Sequence, residues 1–133
     1  MKILILKIRI LVLWIFTAAA MTIGGMLFLY EKGSIERVIS GEMALGTGFL
    51  ILGACLWLVP FVLTFLTINL RDKVNRLTNI VLGAVFIIWN IFNFIMHLVE
   101  QELLPFKIIL MLSTIAAAAL ILWYAIRWPK YEE

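Results

Sequence analysis

The sequence predicts an all-α protein, an integral membrane bundle of four transmembrane helices that runs antiparallel with both termini cytoplasmic. Apolar residues make up 65% of the 133 positions and charged residues 14%, whereas soluble domains are about half apolar and about a quarter charged. The mean hydropathy is +1.11, in agreement with a membrane protein. Four apolar runs, each near the roughly 20 residues that cross a bilayer, are separated by short polar connections. Short connections join antiparallel neighbours, so we expect residues 1–133 to form a single transmembrane domain.

The first helix is expected at residues 10–30. It follows a basic N-terminal tail and contains three alanines at 18–20, which together imitate a signal peptide with its cleavage site. The apolar run continues past the alanines to Tyr30 and reaches a full spanning length. We therefore expect an uncleaved transmembrane helix.

The connection at residues 31–42 has the pattern of a short helix at the membrane surface. Ser34 is placed to cap its start. Ile35, Val38 and Ile39 fall on one side, which we expect to face the membrane.

The other three helices are expected at residues 43–68, 77–99 and 107–126. Pro60 stands well inside the second of them, where it removes a backbone hydrogen bond and favours a kink. Trp57 lies far from either end of the same helix, so we expect its indole to turn into the bundle.

The distribution of basic residues predicts the orientation. The two terminal tails and the second connection hold most of the 11 basic residues, while the first and third connections hold few. Basic residues stay on the cytoplasmic side, so both termini should be inside and the protein should lie in the plasma membrane. The residues that we expect to set topology or to contact lipid headgroups are Arg71, Lys73, Arg76 and Arg127.

One face of the third helix carries most of its polar residues. Steps of four and three along the helix connect Asn79, Gly83, Phe86, Asn90, Asn93, His97 and Glu100. Polar side chains are costly in lipid, so this face should turn toward protein or water. By helix geometry Asn90 lies about 15 Å below the outer end, near the bilayer midplane. Trp89 stands beside it.

Two interpretations of this face remain open. In the first, Asn90, Asn93 and His97 line an outward-open polar cavity with Glu100 at its mouth, and form a site or pathway for a ligand or ion. In the second, the asparagines hold helices together by bonding to backbone carbonyls or to hydroxyls such as those of Ser113 and Thr114. A hydrated cavity beside His97 would favour the first.

The chain also resembles a family of small bacterial and archaeal four-helix integral membrane proteins that is classified as a domain of unknown function. The residues that carry the resemblance are Asn75-Arg76, Asn79-Ile80, Gly83, Pro60 and Trp123-Tyr124-Ala125-x-Arg127-Trp128. Family members often have an acidic residue just before the proline, where this chain has Leu58-Val59. The resemblance implies a four-helix architecture and no assigned activity.

Enzyme chemistry has little support in the sequence, so we expect neither a catalytic site nor a cofactor. Carboxylates are missing from the depths of the predicted helices, which argues against an intramembrane acid–base pair. The single histidine and single cysteine lie on different helices, so we expect no metal site. His97 and Glu100 could ligate a metal only in a symmetric oligomer.

The sequence thus predicts a small membrane protein that binds or permeates a small polar molecule, an ion or a lipid headgroup. The alternative is a structural or interaction subunit of a membrane complex with no ligand site of its own. The partners expected are the lipid bilayer and either a second copy or another membrane protein, with no nucleic acid. Small residues at Ala20, Gly24 and 116–119 offer close-packing seams for self-association.

Overall fold

A computed structural model of the chain describes residues 2–42, 46–100 and 104–129. Its helices are α1 (Lys2–Phe28), α2 (Ser34–Ile39), α3 (Thr47–Asn69), α4 (Asp72–Val99) and α5 (Pro105–Ile126). Helices and turns account for the regular structure of these residues, which include no strand. Four helices, α1, α3, α4 and α5, are long and apolar enough to cross a membrane. The predicted all-α class with four such helices is therefore confirmed.

Two of the long helices begin five or more residues earlier than the apolar pattern predicts, and α5 begins two residues earlier. α1 begins at Lys2 rather than at residue 10, because isoleucine and leucine separate the basic residues of the tail and no glycine or proline interrupts it. α4 begins at Asp72 rather than at residue 77. Asp72 lies in the first turn, where the partial positive charge of a helix N-terminus stabilises a carboxylate.

The long helices run antiparallel in chain order, which gives the bundle two distinct ends. At the basic end, α1 and α4 begin while α3 and α5 end. There the Lys7 ammonium donates a hydrogen bond to the carbonyl of Leu70 at 3.1 Å and pairs with the Asp72 carboxylate at 2.9 Å. Arg76 Nε also donates to the carbonyl of Ala125 at 3.4 Å. We call the opposite end, where α1 and α4 end, the cavity end.

The helices pack in the order α3, α1, α5, α4. α1 packs against α3 on one side and α5 on the other, while α4 packs mainly against α5. Gly83 permits the close approach of α4 to α5, since a Cβ there would lie 3.3 Å from the backbone nitrogen of Leu122. At Gly24 of α1, by contrast, an added Cβ would meet only the end of Leu110 of α5, at 3.6 Å.

The tightest core lies toward the basic end. Ile10, Trp14, Phe86 and Ile121 are almost completely buried there. The rings of Trp14 and Phe86 meet edge to face, with their centroids 5.3 Å apart. Phe86 belongs to the polar face predicted on helix three, so this part of the face turns inward as expected.

The first half of α3 and the residue before it are loosely packed. A Cβ added at Gly46, Gly48 or Gly53 would meet nothing within 4 Å. Leu50 and Ile51 are more than half exposed. The expected start of this helix at residue 43 lies outside the described residues.

The short helix α2 forms as predicted but begins differently. Its N-cap is Gly33, whose φ of 81° lies in the left-handed region that favours glycine, and the cap has no side-chain hydrogen bond. The prediction that Ser34 caps the helix is therefore wrong. The expected apolar side, Ile35, Val38 and Ile39, is exposed.

Candidate functional site

The asparagines of α4 fall into two groups with different surroundings. Near the basic end, Asn75 and Asn79 are completely buried. Trp14 Nε1 of α1 donates to Asn79 Oδ1 at 2.7 Å, and Asn79 Nδ2 donates to the Asn75 side-chain oxygen at 2.7 Å. Asn75 Nδ2 then donates to the carbonyl of Thr67 of α3 at 2.5 Å. This chain of bonds joins three helices, so Asn79 holds the bundle together and lies apart from the other predicted site residues.

Toward the cavity end, the same face of α4 lines a cavity of about 320 Å³. α1, α4 and α5 form most of its wall, and α3 contributes Trp57. The polar residues in the lining are Asn90, Asn93, His97, Lys107 and Thr114, and the aromatic ones are Phe28, Trp57, Trp89 and Phe106. Its volume is at the small end of the roughly 300–1,000 Å³ that is usual for ligand pockets. The structure therefore brings together four predicted site residues, Trp89, Asn90, Asn93 and His97.

Two of these side chains have buried polar atoms without a hydrogen-bond partner. They are Asn90 Nδ2 and His97 Nδ1. Buried polar groups in folded proteins are hydrogen-bonded in the large majority of cases, because an unpaired group loses its contact with water and gains nothing. Asn90 and His97 thus each have one unpaired buried polar atom beside the same cavity.

Asn93 and the hydroxyls of α5 are satisfied within their own helices. Asn93 Nδ2 donates to the carbonyl of Trp89 at 2.8 Å. Ser113 Oγ donates to the carbonyl of Ile109 at 2.6 Å, and Thr114 Oγ1 to that of Met111 at 2.9 Å. One interpretation of the sequence was that the asparagines bond to Ser113 and Thr114. Both hydroxyls instead donate to carbonyls of their own helix.

A buried ion pair at the cavity end was not among the predicted site features. Lys107 Nζ lies 2.9 Å from Glu31 Oε1, and each side chain is only 9% exposed. Lys107 also lines the cavity. Neither residue was given a role from the sequence, and no local pattern links two residues so far apart in the chain. The wall of the cavity therefore contains a buried cation, Lys107, that is paired with Glu31.

The remaining predicted residues lie away from the cavity lining. Glu100 is the exposed C-cap residue of α4. Arg71 and Lys73 are exposed at the basic end, as their expected contact with lipid headgroups requires. The Arg127 guanidinium stacks 3.9 Å from the ring centroid of Trp123. Among the described residues, no three metal-ligating side chains meet in one place.

Comparison of the chain with protein families, curated proteins and solved structures finds no match. The resemblance to a family of small four-helix membrane proteins stays a prediction. A functional hypothesis therefore depends on the geometry of the cavity.

Proposed function

We propose that this chain is an integral membrane protein that binds a small polar molecule, an ion or a lipid headgroup in the cavity lined by α4. Asn90 and His97 bind the ligand, and Trp89 and Asn93 shape the wall beside them. The observation that carries the proposal is the pair of unpartnered buried atoms, Asn90 Nδ2 and His97 Nδ1, at one cavity. The χ2 torsions of asparagine and histidine have broad energy minima, so small rotations about them can turn these nitrogens toward a ligand.

The surface of the bundle supports the membrane setting. Large apolar side chains point outward along every long helix, with Leu77, Ile88 and Ile109 each more than 60% exposed. A surface this apolar drives association in water, whereas lipid tails accommodate it. Most of the lysines and arginines that the structure describes lie at the basic end, which supports a cytoplasmic location for both termini of a plasma-membrane protein.

The geometry supports binding and gives no support to catalysis. Among the described residues, the cavity lining contains one histidine and one lysine and lacks a carboxylate. Lys107 is engaged by Glu31 at 2.9 Å. A general acid–base pair needs two groups within reach of the reacting atoms, and the described lining does not supply them.

Binding can be tested by ¹⁹F NMR of protein that carries 5-fluorotryptophan, reconstituted in lipid nanodiscs. Three probes represent three ligand classes: propane-1,2-diol, sodium phosphate and octan-1-ol. Trp89 lines the cavity, whereas Trp123 lies at the far end and serves as the internal control. We expect at least one probe to shift the Trp89 signal saturably, and Asn90→Leu to abolish that shift. If no probe moves Trp89 more than Trp123, the proposed function is wrong.

A second candidate is a subunit that binds another membrane protein. It is favoured by the first half of α3, where Gly46, Gly48 and Gly53 face open space. Small residues of this kind allow the close approach of another helix. Replacing Gly53 by leucine would then block a complex while leaving the ¹⁹F response of Trp89 unchanged, which separates the two candidates.

A further inference from the structure

At the cavity end, the described lining contains a charged side chain and aromatic rings. The Lys107–Glu31 pair is buried, with each side chain 9% exposed. Lys107, Phe28 and Phe106 line the cavity. Breaking a buried ion pair leaves an uncompensated charge, so this part of the wall resists rearrangement.

The side wall toward α3 is much thinner. Trp57 is the single α3 residue in the described lining, and it is 44% exposed. One turn earlier along α3, a Cβ at Gly53 would meet nothing within 4 Å. Only one indole therefore lies between the cavity and the surface of the bundle on this side.

The position of that indole depends on Gly25 of α1. A Cβ on Gly25 would lie 2.5 and 2.8 Å from two carbons of the Trp57 ring, which is closer than real Cβ contacts. The ring therefore rests on the bare backbone of α1. Rotation of this one side chain would therefore widen the cavity on the α3 side.

The lining also constrains the chemistry of the ligand. Around Asn90 and His97 stand aromatic and aliphatic side chains, including Phe106, Leu110 and Met111. The Asn90 Nδ2 atom is a donor and requires an acceptor. Lys107, the one cation in the lining, is already paired with Glu31. A neutral oxygen-bearing head on an apolar body fits these surroundings better than a free ion.

We propose, on the basis of the binding function above, that the ligand is an amphiphile dissolved in the bilayer that reaches the cavity sideways past Trp57. Its hydroxyl or carbonyl oxygen accepts a hydrogen bond from Asn90 Nδ2. Its apolar body lies against Trp57 and extends toward the lipid beside the first half of α3. We call Trp57 the side cover of the cavity.

The test uses octan-1-ol, octane and propane-1,2-diol with fluorotryptophan-labelled protein in nanodiscs. At the same concentration in the membrane, octan-1-ol should shift the ¹⁹F signals of Trp89 and Trp57 more than octane does. Asn90→Leu should remove the preference for the alcohol over the alkane. If propane-1,2-diol binds and octan-1-ol does not, the proposal of an amphiphilic ligand is wrong, while the proposed binding function stands. If octane binds as well as the alcohol, the role given to the oxygen is wrong.

The side cover is tested by exchange rates measured on the Trp89 signal. Trp57→Ala should speed exchange of octan-1-ol several-fold, and Gly25→Ala should do the same because its methyl group displaces the ring. Leu58→Ala is the matched control, since Leu58 is the next residue of α3 and is 60% exposed. If octan-1-ol exchanges at the same rate in Trp57→Ala, Gly25→Ala and the Leu58→Ala control, the proposed side route is wrong. Gly25→Ala keeps the tryptophan, so it answers the question if Trp57→Ala fails to fold.

Discussion

Replacing Asn79 by leucine should destabilise the bundle, whereas the same change at Asn90 should not. Asn79 is completely buried and takes part in bonds to Trp14 and Asn75. Leucine branches at the same carbon as asparagine and is the larger side chain, so the change removes the polar partners and leaves no cavity. Asn90 Nδ2 has no hydrogen-bond partner to lose. The two substitutions are chemically identical and lie on the same face of α4.

The magnitude follows from the bonds that are broken. Loss of the interhelical bond from Trp14 to Asn79 should cost about 0.6–2 kcal/mol, the range found for polar contacts between membrane helices. The Trp14 indole N–H is then buried without an acceptor, which raises the total to about 2–4 kcal/mol. Asn90→Leu removes a buried polar group that is already unpaired, so its free energy of unfolding should stay within about 0.5 kcal/mol or increase.

Reversible unfolding by sodium dodecyl sulfate in mixed micelles measures both values. Trp14→Phe removes the donor of the same bond, and a double-mutant cycle with Asn79→Leu should give a coupling free energy of about 0.5–3 kcal/mol. Equal destabilisation by Asn79→Leu and Asn90→Leu would refute the distinction between a bonded half and a ligand-binding half of the face. A coupling free energy of zero would refute the contribution of the Trp14–Asn79 bond.

Three other outcomes follow from the fold. A Ser40→Cys change, at an exposed position of the same connection, in a Cys55→Ala background should react with a membrane-impermeant maleimide from outside the cell, and labelling only from inside would reverse the topology. Gly83→Ala should cost about 1–3 kcal/mol because its methyl group meets the α5 backbone at 3.3 Å, whereas Gly53→Ala, which meets nothing within 4 Å, should be neutral or stabilising. Chemical crosslinking in nanodiscs over a wide range of protein-to-lipid ratios should detect a dimer, and monomer throughout would exclude self-association.

The spacing of polar residues on α4 was sufficient to predict which face turns inward. It could not separate the bonded half from the half that lines a cavity, because the partners come from other helices. Trp14 and Asn79 are 65 positions apart, and their contact depends on how α1 and α4 pack. Helix propensity and hydropathy carry no information about such a pairing.

The features that sequence reasoning missed share a physical cause. Glu31 and Lys107 stand at the predicted ends of two different helices, and nothing in their local sequence predicts a partner. Their mutual burial depends on where those two ends meet in the bundle. Likewise, the resting place of Trp57 on Gly25 requires the packing of α3 on α1, which no local pattern encodes. Local chemistry predicted the helices, and tertiary contacts determined the site.

The central claim is that Asn90 meets a molecule from outside the chain. Protein labelled with ¹⁵N only at asparagine side chains, in nanodiscs that contain octan-1-ol, allows a direct measurement of nuclear Overhauser effects to the amide protons. We expect effects from octan-1-ol or water at the Asn90 amide and none at the Asn79 amide, which is bonded within the protein. An Asn90 amide that contacts neither molecule and exchanges as slowly as that of Asn79 would contradict the claim.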